Sequence, residues 1–236
     1  MKNKILNIYV GYDPVEIVAW HTLVQSIINN SSIPVNITPL NIRNLKGIYS
    51  RQRDDKQSNE FSYTRFLVPY LNGYKGAALY LDCDMLMQAD IAELYDICES
   101  SDKAVHVVKH DYESKKTLKY LGNKQYNYPR KNWSSFVLWK CDHPSNNRLT
   151  NDFVNKSEPK YLHRFSWLND NEIGELNPSW NWLVEEYEKI DINKLKNIHW
   201  TLGGPYFSEY SNCDYNEEWK LIHNQINFCK QNPKNG

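Results

Sequence analysis

The sequence predicts an α/β fold in a single domain, and three observations carry that expectation. Segments rich in β-formers alternate with segments of helical period through the first 140 residues or so, the order that builds a sheet flanked by helices. The 236 residues are 41% hydrophobic and 14% aromatic, enough to bury one sizeable core. An apolar stretch, LYLDCDML at 79–86, runs straight into two carboxylates, and in open α/β sheets ligands gather beyond the carboxyl ends of strands.

Taken in order, residues 5–10 (ILNIYV) read as a short strand. A helix start follows, with Asp13 as N-cap, Pro14 at the first helical position and Glu16 at the third. Ile17, Trp20, Val24, Ile27 and Ile28 recur at helical spacing until Asn29-Asn30-Ser31-Ser32 stops the helix, and a strand at 35–40 completes a βαβ unit. A polar loop rich in Arg and Gln at 44–59 leads to a predicted helix at 61–71 and a strand at 77–81 that ends on Asp82. Further on, the pattern predicts a helix near 91–99, a strand at 104–108, a loop rich in Lys and Tyr, and a strand at 135–139. From Cys141 onward Trp, Asn and Tyr dominate, so covering helices and loops that complete a site are expected. No repeat and no linker interrupts the chain.

Lys plus Arg and Asp plus Glu both number 28, so no overall field recruits nucleic acid or an acidic membrane surface. An anionic ligand must be held by local groups. The five cysteines (Cys83, Cys98, Cys141, Cys213, Cys229) include no Cys-x-x-Cys, which argues against a disulfide framework or zinc knuckle and favours a reducing compartment. The first apolar run is too short for a signal peptide, and no stretch approaches the ~20 apolar residues of a membrane span. A cytoplasmic location is the expectation.

Asp82 and Asp84 lie two residues apart at a strand end, where both side chains leave on one face and reach a single hard cation. Without a cation they repel by roughly 4 kcal/mol at ~4 Å and an effective dielectric of ~20. A plainer reading makes Asp82 a cap and leaves Asp84 solvated. A calcium loop is excluded, because Leu86 stands where a third Asp is required. A phosphatase of the haloacid dehalogenase type, with Asp82 as nucleophile and Asp84 as acid, also opens with an apolar strand and Asp-x-Asp. That motif normally follows the first strand and carries Thr or Val in place of Leu86. On the residues alone these readings stay open.

Four segments occur in a set order: SYTRFLVPYL (62–71), ALYLDCDMLMQADIAELY (78–95), NDNEIGELNPSWN (169–181) and IHWTLGGPYF (198–207). Together they resemble glycosyltransferase family 8, the group of glycogenin and the bacterial lipopolysaccharide galactosyl- and glucosyltransferases. The resemblance implies a GT-A fold, one Rossmann-like mixed sheet flanked by helices, with a nucleotide-binding part over about 1–100 and a part completing the site and taking the acceptor over about 101–236. It implies transfer of a hexose from a UDP-sugar to a saccharide or glycoconjugate acceptor, with retention, using Mn²⁺ or else Mg²⁺.

By the same resemblance Asp82, Asp84 and His199 would be the metal ligands, and an imidazole suits Mn²⁺ better than Mg²⁺. Val10, Gly11, Tyr12 and Asp13 match the segment that holds the uridine, and Cys83 and Ser134 fall at further donor-binding positions. Gly203 and Gly204 would let backbone amides approach the diphosphate. Arg65 matches an Arg that contacts donor sugar or diphosphate, and Asp170 and Asn171 align with an Asp-Gln pair beside the donor sugar. These three are the expected catalytic groups.

The chain also departs from the pattern. Asn171 is shorter than the usual Gln, and Ser134-Ser135-Phe136 stands for Asn-x-Gly, putting a ring where a Gly would leave the donor pocket open. The C-terminal motif lacks the Lys that usually touches the diphosphate, so Gly amides, Arg65, or Arg51, Arg53 and Lys56 of the 44–59 loop would carry that charge, with the loop as a lid. Trp133, Trp167, Trp180 and Trp182 offer sugar-stacking faces or fill the core. A non-catalytic nucleotide-sugar binder, inactive through Asn171 and Phe136, is the remaining alternative.

Overall fold

In the computed structural model, which describes residues 4–53, 57, 59–113, 122 and 129–227, six strands form the main sheet. Their order is β2 (Val35–Leu40), β1 (Leu6–Gly11), β3 (Ala77–Leu81), β6 (Phe136–Lys140), β5 (Val105–Val107) and β7 (Ile173–Glu175). Only β6 runs against its neighbours. The carboxyl ends of β1 and β3 therefore meet the amino end of β6 along one edge, which brings Gly11, Asp82 and Ser134 to the same side of the molecule.

Burial explains the strand sequences. Every residue of β3 is buried, because alternate side chains enter opposite cores: Ala77, Leu79 and Leu81 on one face, Ala78 and Tyr80 on the other. The first face is covered by α1 (Ile17–Asn29) and α3 (Ala92–Glu99) through Leu23, Ile27, Leu94 and Cys98. The second is covered by α2 (Val68–Leu71), α4 (Asn151–Lys156) and α5 (Pro159–His163) through Val68, Val154 and Leu162. The strands expected at 35–40 and 77–81 form over those spans, and α1 begins as the Asp13 cap predicts, through a 3₁₀ turn Pro14–Glu16.

Two expectations change. The helix expected at 61–71 is a 3₁₀ turn, Thr64–Leu67, followed by the four-residue α2. Pro69 accounts for the break, since it has no N–H to give the residue-65 carbonyl and its ring would clash there in a continuous helix. The second difference is a small sheet that the sequence reading lacks: β4 (Met85–Met87), β9 (Asn197–His199) and β8 (Trp182–Leu183). Leu86, Ile198, Trp200 and Trp219 pack a third core between this sheet and α6 (Asn216–Asn227). No described helix is long and apolar enough to cross a membrane. Cys83, Cys98, Cys141 and Cys213 are buried thiols.

Candidate metal and donor site

The period of two that governs β3 continues past its end. Tyr80 and Asp82 share a face, and the Tyr80 hydroxyl donates to Asp82 Oδ1 at 2.6 Å. Cys83 points the other way, into the α1 core, with its Sγ 3.6 Å from Glu16 Oε2. The chain then enters β4, which pairs antiparallel with β9 and sets Met85 opposite His199. The amide of Trp200 donates to the Asp84 carbonyl at 2.9 Å and closes the corner. One strand end and one distant strand pairing thus bring Asp82, Asp84 and His199 together, with ligand atoms all within 4.8 Å of one another.

All three are nearly inaccessible, at 7%, 7% and 1% exposure. Arg65, 5% exposed, pairs its Nη2 with Asp82 Oδ1 at 2.9 Å and donates through Nη1 to the Ser134 carbonyl at 2.8 Å. Burial pushes the Asp82 carboxyl above its ordinary pKa, with the charge of Asp84 adding to the rise while Arg65, His199 and the Tyr80 hydroxyl pull it back.

The orientation of His199 is set by residues behind it. Ser135 Oγ donates to the Asn132 carbonyl at 2.7 Å and accepts from Asn181 Nδ2 at 2.9 Å. That fixes the Asn181 amide with Oδ1 toward His199 Nδ1, 2.8 Å away, so Nδ1 carries the proton. The Nε2 lone pair then faces Asp84 Oδ1 at 3.2 Å, and that oxygen is buried and accepts no hydrogen bond. Two acceptors in contact need a proton or a cation between them. The donor set, two carboxylates and an imidazole whose second nitrogen is held by an amide, fits a divalent transition ion.

The remaining expected donor residues are placed as follows. Val10 lies wholly in the core. Gly11 is required by packing, because a Cβ there would lie 2.6 Å from the Phe61 ring and 2.8 Å from the Tyr80 hydroxyl. Tyr12 is half-buried, edge-on to Trp20. Both Asp13 oxygens are used, one by the Val15 amide and one by the Glu60 amide, each at 3.0 Å. Ser134 Oγ bridges Arg65 at 3.3 Å and His163 Nδ1 at 2.9 Å. Gly203 has φ +135°, and side chains at Gly203 and Gly204 would strike Tyr210 and Tyr206.

Asp170 and Asn171 are exposed in the turn that enters β7, at the other end of that strand from the turn carrying Asn181. They do not join the buried cluster. Asp170 pairs with Arg130, whose Nη2 lies 2.5 Å from Asp170 Oδ1. Phe136 does not enter the donor pocket: its ring is buried in the core against Trp180, centroids 6.1 Å apart. Trp167, stacked on Trp139, and Trp180 are core, whereas Trp133 and Trp182 are half-buried. Arg51 is committed elsewhere, donating to the carbonyls of Val154 and Ser157 at 2.8 and 2.7 Å and lying over the Tyr63 ring. Arg53 is exposed, and Lys56 lies outside the described residues.

Sequence reasoning missed three contributors. Asn181 closes the quoted segment 169–181 but shows no sign of touching a histidine. Glu16, read only as a helix-start carboxylate, is 2% exposed and accepts from the Tyr206 hydroxyl at 3.2 Å; burial raises its pKa, and the charges of Asp84 and Asp13 add to the rise. His110, bonded to the Tyr187 hydroxyl at 2.6 Å, is held neutral by burial and by His199, its pKa lowered to about 3.

Comparison with known proteins follows the same lines. The sequence model described as Glycosyl transferase family 8 matches residues 1–223. A curated Arabidopsis thaliana protein, Protein CDI, is 43% identical over 238 residues, covering 99% of this chain and 91% of its own. Among solved structures, the apo WbbM bifunctional glycosyltransferase superposes with a TM-score of 0.66 at 13% identity over 94% of this chain, which spans 50% of that one. The galactosyltransferase LgtC, in complex with donor and acceptor sugar analogs, gives 0.60 at 10% identity, covering 95% of this chain and 98% of its own. At such identities the likeness shows the fold, which is GT-A. Neither the phosphatase nor the non-catalytic binder finds support in these matches.

Proposed function

The chain belongs to glycosyl transferase family 8, and from that membership we propose that it moves a hexose from a UDP-sugar to a hydroxyl of a saccharide or glycoconjugate, with retention of anomeric configuration and dependence on Mn²⁺, with Mg²⁺ as the alternative ion. The observation that carries this reading is the buried trio of Asp82, Asp84 and His199, with ligand atoms within 4.8 Å and the imidazole lone pair turned inward by Asn181. A divalent ion held there supplies positive charge where the leaving diphosphate gains negative charge.

The chain's own residues do the rest. Arg65 locks Asp82 in place and keeps a cation at the strand edge. By the family reading the Gly203 and Gly204 amides serve the diphosphate, at positions where Tyr210 and Tyr206 leave no room for a side chain. By the same reading Asp170, paired with Arg130, and Asn171 serve the donor sugar from outside the buried cluster. The acceptor oxygen bonds to the anomeric carbon, its proton passes to solvent or the leaving group, and UDP departs with the electron pair of the broken bond.

Incubation with a panel of UDP-hexoses and Mn²⁺ tests the reading. Release of UDP that stops with chelator, and falls at least ~100-fold in Asp84→Asn, is the expected result. Release of inorganic phosphate from phosphoesters without UDP turnover would overturn it.

A further inference from the structure

We propose that His163 is a positioning residue: acting through the Ser134 hydroxyl, it holds the guanidinium of Arg65 against Asp82. The inference rests on the donor reading above and adds a residue that lies outside the four segments of the resemblance.

His163 is the last residue of α5. Its ring packs on two aromatic side chains that flank Arg65 in the chain, edge-on to Phe66 with centroids 5.3 Å apart and tilted against Tyr63 at 5.6 Å. Arg51 lies over that Tyr63 ring at 4.1 Å. So held, His163 Nδ1 stands 2.9 Å from Ser134 Oγ. Burial of the ring, with the charges of Arg65 and Arg51 adding, lowers its pKa from 6.5 to about 3. The imidazole is therefore neutral, and one of its nitrogens is an acceptor.

The Ser134 hydroxyl decides which. Its oxygen also lies 3.3 Å from Arg65 Nη1, and a guanidinium only donates. The single hydroxyl proton then goes to His163 Nδ1, which leaves the ring proton on Nε2. Lone pairs of the Ser134 hydroxyl and carbonyl are thereby both turned to Arg65 Nη1, at 3.3 and 2.8 Å, while Nη2 meets Asp82 Oδ1 at 2.9 Å. The Asp82 amide donates to the Ser135 carbonyl at 2.9 Å, so one turn anchors both members of the ion pair. Ser134 is buried, and water is a poor substitute for the imidazole there. With no acceptor at position 163 the hydroxyl proton swings toward the guanidinium and the order on Nη1 is lost.

The test compares His163→Phe, which keeps a ring without an acceptor, with His163→Asn, whose Oδ1 takes the place of Nδ1 while the ring contacts are lost. UDP release from UDP-hexoses with Mn²⁺ is measured beside melting temperatures. His163→Phe should lower kcat about 10-fold with KM changed less than about 2-fold, the loss of one hydrogen bond to a charged group. His163→Asn should keep most of kcat despite a lower melting temperature. In a Ser134→Ala background His163→Phe should cost nothing further, because the hydroxyl it acts through is gone. Nitrogen-15 NMR should find the His163 ring proton on Nε2. Should His163→Phe not fold, His163→Leu takes its place. Equal losses of kcat in the Phe and Asn variants mark a packing role and overturn the proposal, as does a loss that persists without the hydroxyl or a ring proton on Nδ1. A wild type that releases no UDP sinks the donor reading, and the role in transfer with it, whereas an active wild type matched by His163→Phe sinks the proposal alone.

Discussion

Asn181 bears no charge, yet the geometry of the candidate metal cluster depends on it. Its amide is the reason that His199 Nε2, and not Nδ1, meets the carboxylates. Replacing it by Ala should cost about 10- to 100-fold in Mn²⁺ affinity, the usual cost of losing the partner of a ligating imidazole. Manganese titration followed by electron spin resonance reads this directly, and an unchanged affinity would mean that His199 is oriented by other means. The sequence displays the proposed ligands but not this partner. Asp82 and Asp84 announce themselves as a charged pair at the end of an apolar strand, whereas Asn181 is one of many asparagines in a tract rich in Asn and Trp. Phe136 illustrates the opposite error. Aligned with an open glycine, it looked like an obstruction in the pocket, but β6 turns its ring into the core against Trp180.

At the scale of elements, Asp13 joins two parts of the fold that are far apart in the chain. One oxygen caps the start of the turn into α1 and the other holds the Glu60 amide in the segment before Arg65. Asp13→Ala should therefore cost more than a simple cap, about 2–3 kcal/mol against about 1 for the cap alone. Urea unfolding measures it, and a loss no larger than a cap's would show that the Glu60 bond contributes nothing. The elements legible in the sequence are those long enough to show a period, such as β2, β3 and α1. Strands β4, β8 and β9 have only three, two and three residues, too few for alternation to register. Their pairing joins residues distant in the chain, so the contact between Asp84 and His199 could be inferred only from resemblance. At α2 a helical pattern was overridden by one proline.

For the whole molecule, the balanced charge leaves pH dependence to individual buried groups. His106 is 5% exposed, its Nδ1 has no hydrogen-bond partner, and burial, with Lys103 and Lys140 adding, lowers its pKa from 6.5 to about 4. Above pH ~6.5 the ring is neutral in both folded and unfolded chains, so nothing is lost. As pH falls from ~6.5 toward ~4 the unfolded chain gains the proton first, and stability declines by up to about 3 kcal/mol. Denaturant titrations at pH 7 and pH 5 should show wild type losing about 2 kcal/mol more than His106→Gln, and parallel losses would contradict the assignment. The fold as a whole brings two sheets together so that one strand end and one strand pairing gather Asp82, Asp84 and His199, the proposed cation site. Anomalous diffraction from crystals soaked in Mn²⁺ and UDP tests that claim most directly. The account predicts one manganese peak about 2.0–2.6 Å from oxygens of Asp82 or Asp84 and from His199 Nε2, beside the pyrophosphate. A bound UDP with no manganese among these three side chains would contradict it.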